Sequence, residues 1–144
     1  MDNALIAAYR NTDYRVRLAQ GGCASIRVDA PLPVPLRNLI GAHAWAFITA
    51  WNPFSQMRSR VQNHAAQQAL LAALRGLLTT IAICPAIGVG LDWREPSFFV
   101  VGPTLPETDA LARQFQQNAY VHGLADGYAR LRLTSDEPPR GQAG

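Results

Sequence analysis

Two stretches of this chain are apolar almost without interruption: AWAFITAW at residues 44–51 and SFFVV at residues 97–101. A half-exposed strand alternates apolar and polar residues, because successive side chains point to opposite faces. A strand without that alternation has to be covered on both faces, which places it inside a sheet. With 144 residues there is room for one domain of ordinary size. At 49% hydrophobic and 16% charged residues, the chain can build a substantial core.

The segments around these two strands suggest how they are arranged. NPFS punctuates the first, and a long helix is predicted from about residue 56 to 78. IAICPAIGVGLDW follows as a strand interrupted by Pro85. Proline removes a ladder donor, so this strand is expected at a sheet edge. After REPSFFVVG, the segment LPETDALARQFQQ reads as a helix, with Thr108 its expected cap and Leu111, Ala112 and Phe115 its inner face. NAYVHG and GYARLRL read as further strands. From residue 45 to 123 the order is strand, helix, strand, strand, helix, strand. That is the split-βαβ, ferredoxin-like order, in which the first and third strands are central.

The expected fold class is therefore α+β, a two-layer sandwich with a split-βαβ core. In front of that core, DNALIAAYR reads as a helix capped by Asp2 or Asn3. DYRVRLA and CASIRVD, joined by QGG, read as a β-hairpin. APLPVPLRNLI has prolines at 31, 33 and 35 and reads as an extended crossover ending in a helical turn. The first helix and this crossover are expected to cover the second sheet face. Residues 1–134 are expected to form the domain. TSDEPPRGQAG offers no core-forming residue, so 135–144 are expected to be a mobile tail.

The charge pattern disfavours several function classes. The net charge is +3, all of the basic excess coming from 13 scattered arginines and none from lysine. Arginine without lysine fits a GC-rich bacterial genome as well as a polyanion partner, and no block of like charge appears. Nucleic acid is therefore disfavoured as a partner. Cys23 and Cys84 lack any CxxC context and read as a reduced pair, with a single disulfide as the alternative. His43, His64 and His122 are isolated, so no metal site and no cofactor are expected. GVG at 88–90 lacks the strand, loop and helix context of a phosphate loop. The N-terminus lacks a signal pattern and no run is long enough to span a bilayer, so a cytoplasmic protein without membrane contact is expected.

The long helix carries the functional signal. At about 100° per residue, Leu70, Leu71, Leu77 and Leu78 cluster about Leu74. Gln56, Arg60, Asn63 and Gln67 fall along the same line, so four polar side chains are aimed inward at the helix start. In the expected topology the same sheet end collects Trp51, Asn52, Ser55, Arg60, Asn63, Trp93, Glu95, Ser97, Gln117 and Asn118. Buried polar groups need partners, and each unpaired one costs about 1–3 kcal/mol. These residues either satisfy one another or satisfy a ligand. Asn52 before Pro53 suits a helix cap, Ser55 is the alternative cap, and Glu95 can simply pair with Arg60 or Arg58. Asn63 and Gln67 can tie down loop backbone, and Asn118 can close the second helix.

AFITAWNPFS, then Asn63, then WREPSFFV and QQNA, resemble an uncharacterised bacterial family of domains of unknown function, over about Tyr9 to Val121. The resemblance implies that Trp51, Asn52, Pro53, Asn63, Glu95, Pro96, Ser97, Gln117 and Asn118 occupy family-motif positions. It implies no activity. Three functions stay open. The first is binding of a polar or nucleotide-like metabolite, its anionic group near Arg60. The second is an enzyme using Glu95 as general acid or base, with Arg60 stabilising charge. The third is an interaction or homodimerisation module using an exposed sheet edge.

Overall fold

The computed structural model describes residues 2–124 and 127–134, so the expected tail at 135–144 lies outside the described residues. The chain begins with α1 (Asn3–Arg10), β1 (Asp13–Arg17), β2 (Cys23–Ile26) and α2 (Val34–Ile40). It continues with β3 (Trp45–Ile48), α3 (Arg60–Gly76), β4 (Ala82–Val89) and β5 (Arg94–Val101). It ends with α4 (Leu105–Gln114), β6 (Ala119–Gly123) and β7 (Arg130–Leu133). The class is α+β. All seven strands join one antiparallel sheet in the order β2-β1-β4-β5-β3-β6-β7.

The two apolar strands, β3 and β5, are neighbours inside this sheet, with Phe47 opposite Phe99. Both of their faces are covered. One face packs Ala46, Ile48 and Val100 against Leu70 and Leu74 of α3 and Leu111 and Ala112 of α4. The other packs Trp45, Phe47, Phe99 and Val101 against Leu32, Leu36 and Ile40, and against Tyr14, Val16 and Ile26 of the hairpin. The second cover is therefore α2 and its approach, with the hairpin. Helix α1, also expected as cover, has no fully buried residue and lies outside this core.

Two sequence expectations need correction here. β4 is not an edge strand, because β1 pairs with it. The β1–β4 ladder, however, joins residues 13–16 to 86–89 and stops one residue short of Pro85. The proline sits where β4 has only β5 beside it, so its missing N–H costs no ladder bond on that side. The cap of α4 is Thr104, not Thr108: Thr104 and Glu107 form a reciprocal capping box. Thr108 is buried inside the helix and donates to the Thr104 carbonyl at 3.0 Å.

Helix α3 also starts later than the periodicity suggests. Asn52 does not cap α3; its backbone is left-handed, with φ 46°, and it stands at the N-terminal end of a 3-10 turn at Pro53–Ser55 without a side-chain capping bond. Ser55 does not cap α3 either. Ser59 does, in a capping box with Gln62. At the other end Leu78 lies beyond the helix and is fully exposed.

Candidate functional site

Of the four inward polar residues expected on the long helix, two are inward. Asn63 and Gln67 are buried, whereas Gln56 precedes the helix and Arg60, its first residue, is exposed. Asn63 Oδ1 accepts from the Asn52 N–H at 2.8 Å, and its Nδ2 donates to Asn52 Oδ1 at 2.8 Å. Asn52 Oδ1 also accepts from the Arg58 N–H at 3.0 Å. Gln67 Oε1 accepts from the Ala50 N–H at 2.9 Å, and its Nε2 donates to the Pro96 carbonyl at 3.0 Å. Gln117 donates to the Trp51 and Phe115 carbonyls. The Asn63 and Gln67 amides are engaged by the chain itself at both oxygen and nitrogen, and Gln117 through its Nε2. They hold the segment after β3, in which Asn52, Phe54 and Ser55 all have positive φ.

Other expected residues gather beside this network, in a cleft between α1 and the β4–β5 hairpin that Asn52 and Gln117 also line. Its inner chamber, about 30 Å³, is lined by Tyr9, Tyr14, Phe47, Trp93, Glu95 and Ser97 among others. An adjoining outer chamber of about 200 Å³ is lined by Leu5, Ala8, Tyr9, Asn52, Ser55, Trp93 and Glu95. Ser55 Oγ lies 3.1 Å from Tyr9 Oη and accepts from Asn118 Nδ2 at 3.0 Å, forming a polar rim. Trp51 stands apart, its ring edge-on to His64.

Pairing across the strands explains the inner chamber. Tyr14, Gly88 and Glu95 stand in one row over β1, β4 and β5. Partners in a row share a face, so the glycine leaves a gap between tyrosine and carboxylate. Trp93 leans over that gap: a Cβ at Gly88 would lie 3.5 Å from its ring. A Cβ at Gly90 would fall 2.2 Å from its Nε1. GVG is thus a seat for an indole. Its signature was available in sequence, as two glycines at strand spacing three residues before a tryptophan. Tyr9, Tyr14 and Phe47 had no such signal. They read as helix, hairpin and core residues until the fold brings them together.

Gly90→Ala is accordingly expected to displace the Trp93 indole and cost about 1–3 kcal/mol. In a ¹H–¹⁵N spectrum the Trp93 indole N–H should shift well beyond those of Trp45 and Trp51. Equal shifts of all three would contradict this packing.

The expected ion pair between Glu95 and arginine is not formed. Arg60 is exposed, and no hydrogen bond or salt bridge to the Glu95 carboxylate occurs among the described residues. Burial raises the Glu95 pKa from 4.5 to about 7. Burial also raises the Tyr9 and Tyr14 hydroxyls, and the Glu95 charge adds to both. Tyr14 donates to the Tyr9 carbonyl at 2.6 Å, which fastens α1 over the chamber. Cys23 and Cys84 are free thiols. No cluster of three or more metal-binding side chains occurs among the described residues, and none of their helices is long and apolar enough to cross a membrane.

A family model described as a protein of unknown function, DUF3293, matches residues 48–120, half of the chain. The chain belongs to this family. The DUF3293 match takes in both the amide network and the Trp93–Glu95 side of the cleft. It leaves out Tyr9 and Tyr14, which form the opposite wall. No curated protein and no solved structure matches the chain.

Proposed function

We propose that this DUF3293 chain is a cytoplasmic binding domain for a small polar metabolite, held in the cleft between α1 and the β4–β5 hairpin. One observation carries the proposal: Glu95 lines both chambers and has no hydrogen-bonding or ionic partner among the described residues. Glu95 is half-buried, and charged groups withdrawn from water are ordinarily paired or hydrogen-bonded, because leaving them otherwise is costly. A solitary carboxyl facing a cavity is the mark of a group kept for something that enters. The chambers are small, so the ligand has few heavy atoms. We read the scaffold as a split-βαβ unit, supported by the order β4-β5-β3-β6 at the middle of the sheet. In that reading Trp51, Asn63 and Gln67 shape the loop, while Trp93, Glu95, Ser97, Gln117, Asn52, Ser55 and Asn118 face or rim the ligand. Arg60 has no part in it.

A second reading is favoured by the Glu95 pKa of about 7. A general acid or base works best when its pKa is near the operating pH, so the same carboxyl can move a proton on a bound substrate. Native purification, followed by denaturing extraction and mass spectrometry, tests the common element. The wild-type chain should carry a small polar molecule that Trp93→Ala loses. If wild type carries nothing, and no member of a polar metabolite library raises its Tm, the cleft is not a binding site.

A further inference from the structure

We infer that the ligand of this cleft is a small organic cation, an amine whose ammonium group occupies the inner chamber beside Glu95 and whose short chain lies in the outer one. The inference rests on the reading of the cleft as a binding site and adds the charge and shape of what it takes. No arginine or histidine lines either chamber. An anion would therefore meet Glu95 with nothing to compensate it, whereas an ammonium group supplies the missing counterion.

The walls agree with the charge. Tyr9, Tyr14, Phe47 and Trp93 surround the inner chamber, and Tyr14 and Phe47 meet edge to face at 5.0 Å. Aromatic faces carry partial negative charge and hold cations, which is how aromatic cages take ammonium groups. The size agrees as well. A chamber of about 30 Å³ admits one group of the size of a water molecule, and an ammonium is such a group. Beyond it, Leu5, Ala8 and the Trp93 ring offer apolar surface to a short chain, and Asn52 and Ser55 offer polar atoms at its far end.

Three matched probes separate the alternatives: butylamine, 1-butanol and butyrate, titrated at pH 8 while the Trp93 indole N–H is followed by NMR. Butylamine should shift this resonance, with binding weakened about tenfold or more in Glu95→Gln, whose fold is checked by circular dichroism. As a check independent of any variant, wild-type affinity for butylamine should fall as pH drops below about 7. The other titratable groups of the chambers, Tyr9, Tyr14 and Tyr120, have pKa values raised above 10 and stay neutral across that range. Asp13, Arg15 and Asp92 line the neighbouring groove beside Trp93. If butanol or butyrate binds at Trp93 and butylamine does not, the cationic assignment falls while the binding site survives. If butylamine binds equally in Glu95→Gln and at pH 5, the assignment also falls. If none of the three moves Trp93, a water-filled crevice remains and both readings fall.

Discussion

At pH 8, Glu95→Gln is expected to stabilise the ligand-free chain against urea by up to about 3 kcal/mol, and at pH 4 to change its stability little. The Glu95 pKa rises from 4.5 to about 7 on folding, and the cause is burial. At about 1.4 kcal/mol per unit, this sets the size of the effect. The sign follows from proton counting. Between those two values the folded chain holds a proton that the unfolded chain has lost, so stability falls as pH rises through the window. Above about pH 7 the folded chain carries an ionised carboxyl without a partner, and the full penalty is present. Glutamine cannot ionise and escapes it. Paired urea melts at both pH values measure the difference. A wild-type chain more stable than Glu95→Gln at pH 8 would mean that the carboxylate has a cationic partner. Saturating butylamine should also narrow the gap by stabilising the wild type more than Glu95→Gln, because a ligand stabilises the state that binds it.

The sequence carried the sheet more clearly than the site, for reasons visible in single residues. The unbroken apolar runs placed β3 and β5 inside the sheet because burial on both faces leaves a mark at every position. The same logic failed at Pro85. A proline reports only that its own N–H is unpaired, and β4 satisfies that locally while β1 pairs with its other half. Helical periodicity found Asn63 and Gln67 but also pointed to Gln56 and Arg60. A wheel gives direction without saying where the helix begins, and Ser59 begins it. The polar residues read as one cluster and fold as an amide network and a cleft that share Asn52 and Gln117. One closes on backbone groups through amides. The other is completed by Tyr9 and Tyr14 from the N-terminal segment, on a row whose middle member is Gly88. Nothing in local sequence couples those segments; the sheet order does.

Asn63→Leu is expected to lower stability by about 2–4 kcal/mol, since each buried polar group left unpaired costs about 1–3 kcal/mol. Asn63 is 2% exposed, so water does not replace what the substitution removes. The Asn52 N–H loses its acceptor, and the Arg58 carbonyl loses the Nδ2 contact at 3.5 Å. Asn52 Oδ1 keeps only the Arg58 N–H. The leucine also has to fit a space shaped for an amide. The effect should reach the cleft through the chain. Asn52, Phe54 and Ser55 hold positive φ, a conformation that persists only when the surroundings enforce it. Once Asn52 is released, Ser55 keeps its bond from Asn118 but loses part of the turn that holds it 3.1 Å from Tyr9. Stability and butylamine binding should therefore fall together in Asn63→Leu. Asn63→Asp keeps the Oδ1 acceptor for Asn52 and should retain part of both. Urea midpoints with unchanged slopes would report stability rather than altered compactness. A change under about 1 kcal/mol would mean that these amides do not hold the loop. If binding vanished at the same time, Asn63 would belong to the ligand and not to the backbone.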